Sequence, residues 1–282
     1  IIRVHSIVNP YRMNPDNIPC LTVAKIDCCS LANNHVLDWG YSGLLETIAT
    51  LEKVQITPVG AGLNRQLAQM PAIQEIKGKG RIIIFAGGTT TSGIPLNWAA
   101  GKNKPGVNLL PNLSQKTVQQ IKQQVKQIKQ AGDVVVFSIH WGGNWGYEIP
   151  PEHIRFAHQL IEQAGIDLIH GHSSHHVQGI EIYRDRLILY GCGDFLNDYE
   201  GIGGYEAFRA DLSLMYFPTL DSATGKLISL QMIPTQVKRF QLKKASQPDI
   251  LWLQAVLNRE GKKFGTQVEW DGKKTLILKT AA

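Results

Sequence analysis

A chain of 282 residues with 43% apolar and 18% charged residues has the make-up of one sizeable globular α/β domain, which excludes a disordered or fibrous chain. Its formal charge of +6 is spread over Lys-rich stretches, above all 115–130 and 238–244. Such a spread suits solvated helix faces, permits weak attraction to anionic polymers or lipid headgroups, and gives no reason to expect a nucleic-acid partner. The four cysteines, Cys20, Cys28, Cys29 and Cys192, form no CxxC pair, which argues against a zinc knuckle or a disulfide framework. Cys192 suits a small apolar filler, with a ligand role as the alternative. No apolar run approaches the roughly 18 residues of a membrane span. The chain starts with Ile1 rather than Met, so a preceding segment is expected and cytoplasmic and envelope-associated locations both stay open.

In chain order, residues 1–20 read as an irregular start leading to a short helix over 15–21. A short buried strand over 26–31 ends in Ala32-Asn33-Asn34-His35. Leu44, Leu45, Ile48 and Leu51 recur at helical spacing and predict a helix ending near Lys53. A strand over 56–59 runs into Gly60-Ala61-Gly62, and a short helix over 66–70 precedes a hairpin of strands 72–76 and 81–86. Residues 89–113 lack a period and read as a long loop. Ser114 is expected to cap a helix over 115–130, with Val118, Ile121, Val125 and Ile128 on one face.

The apolar run 134–139 ends in His140, and the run 167–169 ends in His170-Gly171-His172. Pro150-Pro151 and the spaced Ile154, Ala157, Leu160 and Ile161 predict an amphipathic helix between them. Two apolar strands joined by such a helix make a parallel βαβ unit, whose C-terminal strand ends lie side by side where open α/β sheets hold ligands. Hairpins over 180–190 and 212–233, a helix over 248–259 with Ser246 as cap and Gly261 as stop, and a strand over 275–278 complete the chain. The whole is expected to be one domain over 1–282, of mixed sheets layered with helices.

The chemistry-bearing residues cluster at strand ends. His140, His172 and His175 offer three neutral imidazoles from adjacent loops, the donor type preferred by Zn, Mn or Fe. His170 and His176 are expected to point away. In Asn33-Asn34-His35 a carboxamide oxygen can ligate a cation and the imidazole can protonate a leaving group; Asp38 is expected to cap the next helix or to orient His35. Gly60 and Gly62, with Asn64, resemble a backbone-amide nest for an anion. Trp98, Trp141, Trp145 and Tyr147 could line a pocket or simply pack.

Five stretches, LANNHVLDWGYSGLLETI (31–48), GAGLN (60–64), HWGGNWGYEIPPE (140–152), AHQLIEQAGIDLIHGHSSHHVQGIEIY (157–183) and LILYGCGDFLNDYEGI (187–202), resemble the bacterial capsule synthesis CapA family, also called the poly-gamma-glutamate synthesis PgsA family. That family is similar to calcineurin-like metallophosphoesterases. The resemblance implies a layered αββα sandwich with a one- or two-metal centre, holding Mn, Fe or Zn, at the strand ends. It implies Asn34, His140, His172 and His175 as metal ligands and His35 as the general acid, with Asp38, from the residue reading, as the second candidate catalytic residue. Substrate contacts would come from Gly60, Gly62, Asn64 and Asn144. It also implies a phosphoester or poly-gamma-glutamate substrate and capsule-synthesis partners. The alternative is a non-catalytic accessory subunit of an envelope polymer complex. The family's opening Gly-Asp strand and the Asn-Leu-Glu stretch after it are absent here, so a first strand and an acidic ligand are expected to be missing.

Overall fold

The computed structural model describes residues 12–197 and 202–280; the first eleven residues of the expected irregular start lie outside them. A short helix α1 (Pro19–Thr22) leads to β1 (Cys28–Ser30), followed by α2 (Gly40–Lys53), β2 (Thr57–Val59) and β3 (Ala61–Gly62). Next come α3 (Arg65–Gln69), β4 (Ala72–Ile76), β5 (Gly80–Gly88) and β6 (Gly106–Val107). The centre runs α4 (Gln115–Ile128), β7 (Val134–His140), α5 (Pro151–Ala164) and β8 (Leu168–His172). The hairpin β9 (Ile180–Tyr183)–β10 (Arg186–Leu189) precedes β11 (Leu212–Leu220), β12 (Leu227–Lys238), β13 (Gln241–Lys244), α6 (Gln247–Gly261), β14 (Thr266–Trp270) and β15 (Leu276–Thr280).

The main sheet has the order β4-β5-β7-β8-β10-β9, parallel through its middle and antiparallel at both edges. Alternation along β8 sends Ile169 to the helix side, into a core with Phe137, Phe156 and Leu160, and sends Leu168 the other way, against the second sheet. On that far side Leu212, Leu214, Leu230, Met232, Leu276 and Leu278 meet it, with Ile250, Leu253, Val256 and Leu257 of α6. The result is the mixed α/β sandwich expected from the sequence. A smaller parallel pair, β1 with β2, carries the Asn34 loop; Cys28 and Cys29 join different apolar clusters, as adjacent strand residues must.

Helix entrances differ from expectation at two points. Ser114 occupies the N-cap of α4, but its side chain makes no capping bond. The Asn112 Oδ1 instead accepts from the Ser114 backbone N–H at 3.2 Å and the Thr117 hydroxyl at 3.1 Å, so an Asx turn two residues earlier makes the entrance. Trp39, not Asp38, is the N-cap of α2, because the Asp38 carboxylate is engaged by His35. Ser246 with Asp249 forms the full capping box on α6.

Register positions the site. Gly88 of β5 pairs with His140 of β7, and His140 pairs with His172 of β8, so three neighbouring strands end on one line. Gly171 makes this possible: a Cβ there would meet the Leu189 carbonyl at 2.6 Å and the Trp141 indole nitrogen at 2.8 Å. The long 89–113 connection buttresses the same line. The Thr89 N–H and the Ser92 hydroxyl donate to the His140 carbonyl at 2.9 and 3.0 Å.

Candidate metal centre

His140 stands at the middle of the cluster. Its Nε2 lies 3.2 Å from Asn34 Oδ1, and its Nδ1 lies 3.0 Å from His172 Nδ1. The other nitrogen of His172 is 3.1 Å from Ser138 Oγ, which in turn is 3.0 Å from His170 Nδ1. A chain of polar contacts thus runs from Asn34 on the β1 loop through the ends of β7 and β8. His172 is the last residue of β8 rather than part of the loop after it.

Electrostatics keep these rings neutral. Burial, with the proximity of His35 and His175 adding to it, pushes the His140 imidazole down to about 4. Burial likewise drives His172 well down, with His170 and His140 adding to the effect. Desolvation penalises the charged form, so both rings keep lone pairs at neutral pH. The donor types suit a divalent cation, but His140 turns Nε2 to Asn34 and Nδ1 to His172, so the two contacts do not converge on one point. Among the described residues, no group of three or more His, Cys, Asp or Glu side chains is placed to hold a metal ion.

Two histidine–carboxylate pairs flank this centre. His35 Nδ1 is 2.7 Å from Asp38 Oδ2, with the His35 side chain 40% exposed and Asp38 7%. His175 Nδ1 is 3.0 Å from both oxygens of Asp194, and its ring lies 5.4 Å from that of Trp145. The backbone N–H of His175 donates to the Asn144 carbonyl at 3.0 Å.

Residues 5–199 match the family described as bacterial capsule synthesis protein PGA_cap. The chain belongs to this family. A probable polyglutamine synthesis accessory protein of Mycobacterium tuberculosis (strain CDC 1551 / Oshkosh) is 48% identical over 259 residues, which is 92% of this chain and 68% of that protein. The PGA biosynthesis protein CapA of Bacillus subtilis (strain 168) is 30% identical over 235 residues, 82% of this chain and 58% of the relative. The capsule biosynthesis protein CapA of Bacillus anthracis is 27% identical over 224 residues, covering 79% and 51% respectively. The chain spans little more than half the length of the two Bacillus relatives.

Within the PGA_cap match the fold brings Asn34, His140 and His172 into contact, with His35 and His175 as electrostatic neighbours of His140. Asp38 orients His35. In the Gly60–Asn64 stretch Ala61 and Gly62 pair with β6, and the Asn64 carboxamide caps α3 by accepting from Leu67 N–H at 3.0 Å. Gly60 has φ +82°, and a Cβ there would also press on Ala32 and Ala86, the packing that sets the Asn34 loop against β5. Asn144 is exposed and contributes its carbonyl to His175.

His176 is buried and structural, its ring taking an N–H from Gly146 and contacting the Val177 carbonyl. Trp141 packs on His153 in the helix-side core, and Cys192 is a buried filler in the inter-sheet core. The sequence reading missed Ser138 and Asp194. Ser138 shares the strand parity of His140, and a lone hydroxyl in an apolar run was the available signal.

Proposed function

We propose that this chain is a metal-dependent hydrolase of the phosphoesterase type acting in capsule or poly-gamma-glutamate assembly. The observation that carries the reading is the alignment of strand ends that sets Asn34, His140 and His172 at 3.0–3.2 Å contacts. Asn34 Oδ1, His140 and His172, with His175 beside them, would hold one or two ions of Mn, Fe or Zn. Such a cation would supply charge to polarise a phosphoryl or carbonyl oxygen and to acidify an attacking water. His35 is the general acid. Asp38 holds His35 Nδ1 at 2.7 Å and so orients the ring, while the 40% exposure of His35 leaves its Nε2 able to reach the leaving oxygen. The names of the Bacillus relatives support an anionic glutamate polymer or its precursor as the substrate context.

The second reading is an accessory subunit of an envelope polymer complex. It is favoured by the Mycobacterium relative's description as an accessory protein. Among the described residues no helix is long and apolar enough to cross a membrane. Metal analysis and a phosphodiesterase assay with Mn separate the two. Under the hydrolase reading turnover is metal-stimulated, His35→Ala lowers it by about 10²–10⁴, and His172→Ala lowers metal content. Absence of turnover and of bound metal in the wild type would leave the accessory reading.

A further inference from the structure

At the end of the main sheet opposite the imidazoles, the starts of β8 and β10 border a cleft of about 300 Å³. Asp167 stands just before β8, whose 5 residues set it about 16 Å along the strand from His172. Three cations line the cleft: Lys129, which follows α4, Arg184 in the β9–β10 turn, and Arg186, the first residue of β10. One carboxylate serves two of them. Asp167 Oδ2 accepts from Lys129 Nζ at 2.8 Å and from the Val135 N–H at 2.9 Å, and Oδ1 accepts from Arg186 Nε at 3.2 Å. Arg184 is matched separately, by Glu162 at 2.8 Å, and the nearby Lys226 is matched by Asp185. The cleft therefore carries a surplus of one positive charge. Arg186 also keeps an unused donor: its Nη2 donates to the Thr224 carbonyl, while Nη1 is enclosed without an acceptor. Lys129 spends two of its three N–H groups, on Asp167 and on the Gly165 carbonyl at 2.9 Å.

We propose that this cleft is a binding site for a small carboxylate ligand of single negative charge, held by Lys129, Arg184 and Arg186. A surplus of one charge matches a monoanion, whereas a phosphate dianion overshoots it. Guanidinium and carboxylate are matched in shape as well as in charge. At about 30 Å³ per water, the cleft has room for roughly ten waters, which is space for a molecule the size of glutamate. Free glutamate and the end of a glutamate chain share this chemistry. The site lies apart from the strand-end cluster and does not depend on a metal there.

The test titrates the full chain by calorimetry at low ionic strength with L-glutamate, with a short poly-gamma-glutamate oligomer and with inorganic phosphate. Arg186→Gln is expected to weaken carboxylate binding about tenfold or more, and Arg184→Gln about two- to fivefold. Lys279→Gln, an equal change of charge at an exposed position of β15, leaves binding as in the wild type. Arg186→Gln still leaves Asp167 paired with Lys129. Should that variant nevertheless fail to fold, Arg184→Gln decides the matter, because the Arg184 side chain is 65% exposed. Saturation by L-glutamate supports the proposal with a free amino acid as ligand, and saturation by the oligomer alone supports it with a chain end. Absence of saturable carboxylate binding overturns it, as do equal effects in all three variants or phosphate binding tighter than either carboxylate.

Discussion

Gly171 separates two imidazoles that face the same side of β8, and its own position allows no side chain. Replacing it with Ala drives a methyl into the Leu189 carbonyl and the Trp141 indole nitrogen, groups on two neighbouring segments. The strand must then shift at the point where His172 meets His140. Gly171→Ala is expected to cost about 1–3 kcal/mol in urea-unfolding free energy and to lower metal uptake in parallel. An unchanged urea midpoint would show that β8 relaxes without strain. Imidazoles at strand ends were readable from sequence because apolar runs stop at them. Asp194 was not, since its contact with His175 spans 19 residues and depends on how the chain returns past β8. In the Gly60–Asn64 motif the Asn64 carboxamide is engaged locally, as the N-cap of α3.

Register is an element-scale property, and it is what turns separate histidines into a cluster. β7 and β8 pair without slip from Val136–Leu168 to His140–His172, because the α5 crossover clamps both strands against one apolar face. Phe156, Ala157 and Leu160 are fully buried at that face. Leu160→Ala is expected to destabilise by about 2–5 kcal/mol, measured by urea denaturation. A loss below 1 kcal/mol would mean that α5 does not hold the βαβ unit. The unit was legible because its strands are long apolar runs and its helix opens on Pro150-Pro151 and stops at Gly165, which adopts φ +75°. β6 and β13 were not legible. They have two and four residues, carry no alternation, and exist only because neighbouring strands supply the hydrogen bonds.

At the scale of the whole molecule, the buried imidazoles make stability depend on pH. Burial lowers His140, His153 and His170 to about 4, against an ordinary value of 6.5. Between those two values the unfolded chain binds more protons than the folded one, so folding stability rises with pH and is lost on acidification from about 6.5 toward about 4. Each such ring contributes a slope approaching about 1.4 kcal/mol per pH unit inside that window. The depressed carboxyls of Asp133, Asp211 and Asp249 act lower, as pH falls below the ordinary carboxylate range. His153 isolates the effect because it belongs to α5 and shares no hydrogen bond with Asn34, His140 or His172. Its ring stacks on Trp141 at 4.5 Å, and its Nε2 is buried without a hydrogen-bond partner. His153→Phe keeps the stack and removes one titrating site, so its urea midpoint should fall less steeply than the wild type between pH 6.5 and 4.5 while matching or exceeding it at pH 7.5. Parallel curves for the two proteins would show that His153 protonates as readily folded as unfolded, and acid loss of stability would then belong to the cluster at the strand ends.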